Sequence, residues 1–316
     1  MSMADKIFII TCNEILLFGS DTKNQKVRPV WEDGSPAYTI KTFGIENKYN
    51  LQEEFPALTL RPTNIKAAID EILWIYQKKS NNVNDLNSHI WDQWADDNGS
   101  IGKAYGYQVG KKYLHHKINH SNIKLGEYEN LIYTILDKYP STEIIFKSHE
   151  TEVYFDQTDS VLYDLKHNPF SRRIMFNLWN QQEAHEMNLE PCAFNFILNV
   201  TEGNDGELYL NGQLNQRSQD ILVANNWNVV QYSALLMMLA QVSNMKPGIL
   251  MHCITDAHIY DRHIDLVKEL IKREQFNSPK VILDQSIKNF YDFTPKSFTI
   301  EDYKTGPQIK KIPVAK

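Results

Sequence analysis

A chain of 316 residues that is 42% hydrophobic and 23% charged carries enough apolar side chain to bury a substantial core, as one large domain or one with a small appendage. Its net charge of −6 argues against a general nucleic-acid surface, so an anionic ligand would have to be held by a local arginine cluster. No apolar run approaches bilayer length, residues 1–6 lack a signal-peptide pattern, and three scattered cysteines (Cys12, Cys192, Cys253) suggest neither a disulfide framework nor a cysteine-rich zinc site, so free thiols in the cytoplasm are expected.

After Pro62-Thr63-Asn64, the residues Ile65, Ala68, Ile69, Ile72, Leu73 and Tyr76 recur at helical spacing, which predicts an amphipathic helix over 64–78 capped by Asn64. Glu71 falls off the apolar stripe, where a charged side chain is ordinarily solvated. Residues 85–110 hold Trp91, Trp94, Gly99, Gly102 and Gly106 without a sustained period, the pattern of an ordered irregular segment of the kind that builds sites. Residues 111–156 are rich in lysine and histidine, with a short helix expected over 127–138, and read as an insertion or small subdomain.

Alternation at Phe194, Phe196, Leu198 and Val200, a Gly203-Asn204-Asp205-Gly206 turn and a second run over 208–216 predict an antiparallel hairpin with Cys192 at its mouth. Residues 229–245 are apolar nearly all round and stop at Pro247-Gly248, which marks a buried core helix. A strand over 249–254 and an amphipathic helix over 263–273 come next, and the mixture without regular βαβ alternation gives an α+β class.

The chemistry concentrates around Cys192. A thiol attacks as the thiolate, and a guanidinium such as Arg217, on the far strand of the hairpin, would favour that form. By pattern alone Cys192 is more often a small core residue, and Arg172-Arg173 more often an exposed basic pair; with Arg28 and Arg217 the pair could instead clamp a phosphate. His252, Asp256, His258 and His263 have the chemistry of zinc ligands but fall across a strand, a loop and a helix start, so no metal is expected there. His258 and Tyr260 would share one face of an extended segment and suit a sugar hydroxyl. There is no Gly-rich phosphate loop, GxSxG elbow or CxxC pair.

Taken in order, Glu71-Ile72-Leu73-Trp74, His89-Ile90-Trp91-Asp92-Gln93-Trp94-Ala95-Asp96, Ala104-Tyr105-Gly106, Ser171-Arg172-Arg173, Pro191-Cys192, Gln216-Arg217-Ser218-Gln219-Asp220, Asn228, Asp256-Ala257-His258-Ile259-Tyr260 and Pro313-Val314-Ala315 resemble the thymidylate synthase family from about residue 27 to the final residues. The resemblance implies that family's α+β fold over 1–316 as a single catalytic domain: a mixed β-sheet packed with helices around a buried central helix, a sheet face forming a homodimer interface, and 111–156 a variable small subdomain. It implies reductive methylation of dUMP to dTMP, with 5,10-methylenetetrahydrofolate supplying both the carbon and the hydride and no metal required. Cys192 would add to C6 of the uracil ring, so that C5 can attack the methylene carbon.

The same resemblance implies the remaining roles. Arg28 and Arg217, with Arg172 and Arg173 donated across a homodimer interface, would grip the phosphate beside Ser218, and Gln216 and Asp220 would complete the dUMP site. Asn228 would offer a donor and an acceptor to the O4 and N3 edge of uracil, while His258 and Tyr260 hold the 3′-hydroxyl. Glu71 would organise water for proton transfer, Tyr105 would lie near the C5 proton, and Asp220 would also serve catalysis. Ile90, Trp91, Trp94, Leu189, Asp220 and Ala315 would contact the folate under a closing segment over 313–316; no membrane or specific nucleic acid is expected as partner.

The sequence departs from the commonest family pattern at Glu190, Ala193, Ala224-Asn225-Asn226-Trp227, Thr255 and Lys316, and in the length of 111–156. Two alternatives stay open: a dUMP hydroxymethylase, in which water quenches the exocyclic methylene, and a catalytically silent nucleotide-binding homologue. Trp91 speaks against the first by shielding the methylene, and Cys192 with four arginines speaks against the second. A cytosine-specific relative would want an acid in place of Asn228, and a Cys-His hydrolase lacks a clear partner histidine for Cys192.

Overall fold

The computed structural model describes residues 2–315, and the departure at Lys316 lies outside them. Its helices are α1 (Met3–Phe18), α2 (Ile65–Tyr76), α3 (Gly106–Val109), α4 (Leu125–Lys138), α5 (Gln157–His167), α6 (Asn225–Val242) and α7 (Ile264–Leu270). Its strands are β1 (Ser20–Asp21), β2 (Thr39–Asn50), β3 (Tyr113–Asn119), β4 (Glu143–Phe146), β5 (Glu150–Phe155), β6 (Met175–Asn177), β7 (Ala193–Glu202), β8 (Leu208–Gln216), β9 (Gln219–Asp220), β10 (Lys246–Tyr260), β11 (Lys280–Leu283) and β12 (Phe298–Glu301). Two compact units result, one from residues 1–72, 192–196 and 201–316, the other from 73–191 and 197–200.

The first unit is organised by β10, which runs antiparallel to β2 on one side and parallel to β8 on the other, with His252 opposite Asn47 and Leu214. Burial alternates along both central strands: Leu250, His252 and Ile254 of β10 and Leu210, Leu214 and Gln216 of β8 are buried, whereas their sequence neighbours are partly or fully exposed. One face of the sheet is therefore covered and the other open, the period-two consequence of the pleat. The covering element over β8 and β10 is α6, whose Val229, Val230, Leu235, Leu236, Met238 and Leu239 are all buried. Each such side chain contributes about 1.5–3 kcal/mol on leaving water. Phe196 meets Tyr232 of α6 edge-on at 5.0 Å between ring centres. A second cluster joins Phe8, Cys12 and Ile15 of α1 to Ile45, Ile254, Ile259, Val267 and Leu270.

In the second unit, β3 and β4 flank β5 in an antiparallel sheet, and Ile118, Ile132, Ile135, Tyr139, Val153 and Phe155 form its own small core with α4. This core lies within the region read as an insertion; its helix is found, but its three strands carry no sequence period strong enough to predict them.

Several expectations are corrected at the level of elements. The core helix ends at Val242, earlier than Pro247, because Asn244 turns the chain through φ 55° and Met245 donates back to the Ala240 carbonyl at 2.8 Å. Pro247 and Gly248 belong instead to β10, which continues through Tyr260 and so takes Asp256 and His258 out of the loop expected for them. The helix over 263–273 shortens to α7, and α1 and β2 were not anticipated.

Candidate active site

Cys192 is half-buried directly before β7, and its carbonyl accepts the Arg217 backbone N–H at 3.0 Å directly after β8. The hairpin thus joins thiol residue and arginine at one end, as the alternating pattern predicted. Ser218 comes next, half-buried, while Arg28 is exposed. Burial pushes the Tyr260 hydroxyl up to about 12, helped by the negative charges of Asp220 and Cys192 and opposed by Arg28.

Above this end of β8 lies a chain of carboxamides. Gln216 Nε2 and Gln219 Nε2 each donate to Asn228 Oδ1 at 3.1 Å, and Asn228 Nδ2 donates to Gln231 Oε1 at 2.9 Å. Behind them, fully buried His252 makes a short hydrogen bond through Nε2 to Gln216 Oε1, and burial pulls its imidazole down to about 3. The acceptor half of Asn228 is therefore engaged within the protein, which leaves one Nδ2 hydrogen as what this residue can offer a ligand. His252, Gln219 and Gln231 escaped sequence reasoning as parts of this network; alternating burial along β10 is the signal that places His252 inward.

At the C-terminal end of β10, His258 Nδ1 lies 3.0 Å from Asp256 Oδ1, and Lys41 Nζ reaches Asp256 Oδ2 at 2.8 Å. Burial would raise the Asp256 carboxyl, but these two partners outweigh it and hold it below its ordinary value. Asp220 accepts the Leu222 and Val223 N–H groups, each at 3.0 Å, and stands 3.8 Å from His263 Nδ1, an ion-pair rather than a hydrogen-bond distance. Burial opposes the charged form of both; the pairing outweighs it, so Asp220 is lowered and His263 raised. His263 Nε2 lies 2.8 Å from the Pro313 carbonyl, tying the terminal segment to this histidine.

Glu71 departs from the ordinary expectation for an off-stripe charge: it is 4% exposed, and the Trp227 indole N–H donates to its Oε2 at 2.8 Å. Trp227, within the Ala224-Asn225-Asn226-Trp227 stretch, thus supplies a donor to a buried carboxylate.

In the second unit, buried Trp91 packs edge-on against Tyr105 at 5.0 Å and Trp94 at 5.5 Å, and tilted against Trp74 at 5.9 Å. Trp94 and Leu189 are half-buried, and Ile90 is exposed. Tyr105 takes φ 46° and ψ −106°, a strained backbone for an L residue, and Gly106 is next in the chain because a Cβ there would meet Ser80 O at 2.1 Å. Arg172 and Arg173 are exposed after the Ser171 turn, whose hydroxyl accepts the Arg173 N–H at 3.3 Å.

The mixture of helices and mixed sheets is that of an α+β fold. The family model for thymidylate synthase matches residues 6–315. The thymidylate synthase of Bacillus licheniformis is 36% identical over 313 residues, 98% of each chain. Thymidylate synthase 1 of Bacillus subtilis (strain 168) is 36% identical over 313 residues, again 98% of each chain. The solved structure of thermostable thymidylate synthase A from Bacillus subtilis superposes with a TM-score of 0.80 at 35% identity, covering 99% of each chain. The chain belongs to the thymidylate synthase family, whose members are methyltransferases that convert dUMP to dTMP with methylenetetrahydrofolate as co-substrate. These relatives do not favour the hydroxymethylase or silent-homologue alternatives. Among the described residues no helix is long and apolar enough to cross a membrane.

Proposed function

We propose that this chain makes dTMP from dUMP through a covalent bond between Cys192 Sγ and C6 of the uracil ring. The observation that carries the reading is the junction of Cys192 with Arg217 at the end of the β7–β8 hairpin, beside the carboxamide network that runs through Asn228. The Cys192 thiolate adds to C6, the electron pair moves to C5 through the ring enolate, and C5 takes up the one-carbon unit. Loss of the C5 proton, elimination of tetrahydrofolate and hydride delivery complete the methyl group, and β-elimination returns the thiolate.

Arg28 and Arg217, together with Ser218, take the phosphate in this reading, and His258 and Tyr260 the 3′-hydroxyl, with the Asp256 contact orienting the imidazole of His258. Gln216 acts through Asn228, which donates to O4; this is narrower than the donor-and-acceptor role expected from sequence. Glu71, held by Trp227, organises water for proton transfer, and Tyr105 serves the C5 proton. Asp220 contributes to both ligands. Methylenetetrahydrofolate supplies the carbon and the hydride; Ile90, Trp91, Trp94 and Leu189 fit it by their apolar and aromatic surface, with Ala315 closing over it.

The chain works, in this account, as a single catalytic domain with 111–156 as a variable small subdomain, and as a homodimer to which each partner lends Arg172 and Arg173. What supports dimerisation is the open sheet face: Phe43 is 85% exposed, Ile249 is exposed, and a depression of about 290 Å³ is lined by Phe43, Ile45, Phe194, Cys253 and Thr255. The test is Cys192→Ala, assayed for dTMP formation and for dUMP binding by calorimetry. Turnover should vanish with binding still measurable; a variant that keeps turning over would sink the covalent step.

A further inference from the structure

His252 lies on the covered face of β10, 0% exposed, two residues from Ile254, which pairs with Gln216 of β8 in the parallel register. Its Nε2 is hydrogen-bonded to Gln216 Oε1; among the described residues its Nδ1 has no partner, and Gln231 Nε2 at the far end of the network has none either. A neutral imidazole carries one ring proton, so the carboxamides between these ends have two self-consistent arrangements. With the proton on Nε2, His252 donates to Gln216, Gln216 donates to Asn228 Oδ1, and Asn228 presents a spare N–H. With the proton on Nδ1, Nε2 accepts, Gln216 turns its amide over, and Asn228 must turn with it and presents its oxygen. Gln219, whose Nε2 also donates to Asn228 Oδ1 at 3.1 Å, favours the first arrangement.

We propose that His252 is a positioning residue for pyrimidine recognition: its Nε2–H tautomer, acting through Gln216, fixes the polarity of the Asn228 amide and thereby selects a ring that carries a carbonyl over one that carries an amine. The proposal rests on the dUMP reading above and extends it to a residue that touches no substrate. Burial keeps the imidazole neutral, so the tautomer, not the charge, is the variable.

Two measurements test it on the full-length protein. In the unliganded enzyme labelled with ¹⁵N-histidine, with His252→Gln used to assign the resonance, the His252 ring should show the neutral Nε2–H pattern from pH 6 to 8; an Nδ1–H or doubly protonated ring overturns the proposal without reference to activity. In kinetics, His252→Phe should lower the ratio of kcat/KM for dUMP to that for dCMP by about tenfold, the worth of one hydrogen bond, while His252→Gln, whose amide can donate in place of Nε2–H, restores it. An unchanged ratio in His252→Phe, or an equal fall for both nucleotides, overturns it. Absence of dTMP formation by the unmodified protein would instead sink the dUMP reading, with the tautomer still readable.

Discussion

Replacing Asn228 by aspartate changes one amide nitrogen into a carboxylate oxygen at nearly constant volume, and the surrounding contacts determine its effect. The Gln216 and Gln219 amides, each 3.1 Å from Oδ1, keep their acceptor, and a carboxylate receives them more strongly. Gln231 Oε1 loses its donor, but the Gln231 amide can turn over and donate through Nε2, which has no partner among the described residues. The variant should therefore fold. At the ligand the exchange costs a donated hydrogen bond, about 1 kcal/mol, and sets an anionic oxygen against a carbonyl, about 1–3 kcal/mol more. The sum, about 3 kcal/mol, corresponds to a loss of about 100-fold in kcat/KM for dUMP. For dCMP the exocyclic amine donates to the new oxygen, so its relative rate should rise. Steady-state kinetics with both nucleotides, with the methylated products identified by mass, reads the ratio directly; discrimination equal to that of the unmodified protein would refute the assignment of Asn228.

Gly106→Ala brings a methyl group to within 2.1 Å of Ser80 O and 2.7 Å of Ser80 N, both backbone atoms that cannot swing away. It should cost about 1–3 kcal/mol and lower turnover through Tyr105; a melting temperature and kcat both unchanged would show that the close approach does not constrain this turn. His116 offers a pH test: burial lowers it from 6.5 to about 4, with His115 adding to the effect and Asp164 opposing it. The unfolded chain takes up this proton first as pH falls, so the contribution of His116 is fully present above 6.5 and disappears on the way down to about 4. Denaturation midpoints at pH 7 and pH 5 should differ less in His116→Gln than in the unmodified protein, and equal differences would contradict the shift.

What the sequence disclosed tracks the strength of local patterns. The capped helix after Asn64 is found, with Asn64 Oδ1 accepting the Ala67 N–H at 3.2 Å, because cap and stripe agree over its whole length. The hairpin beside Cys192 is found because alternation and turn residues coincide. β2 was missed because its residues pair against β10, so its conformation is decided by a strand some two hundred positions away rather than by its own period. The Glu71 carboxylate was expected in solvent because helix spacing cannot show that Trp227, distant in sequence, covers it. The motifs near Cys192 and Asn228 were legible as residue types, but the direction of the Asn228 amide depends on Gln216 and Gln219 together with buried His252, which lies outside their motif.

The central claim is tested most directly by incubating the protein with dUMP and 5,10-methylenetetrahydrofolate and identifying both products by mass spectrometry. The account predicts dTMP and dihydrofolate in equal amounts. Hydroxymethyl-dUMP with tetrahydrofolate, or no product at all, would contradict it.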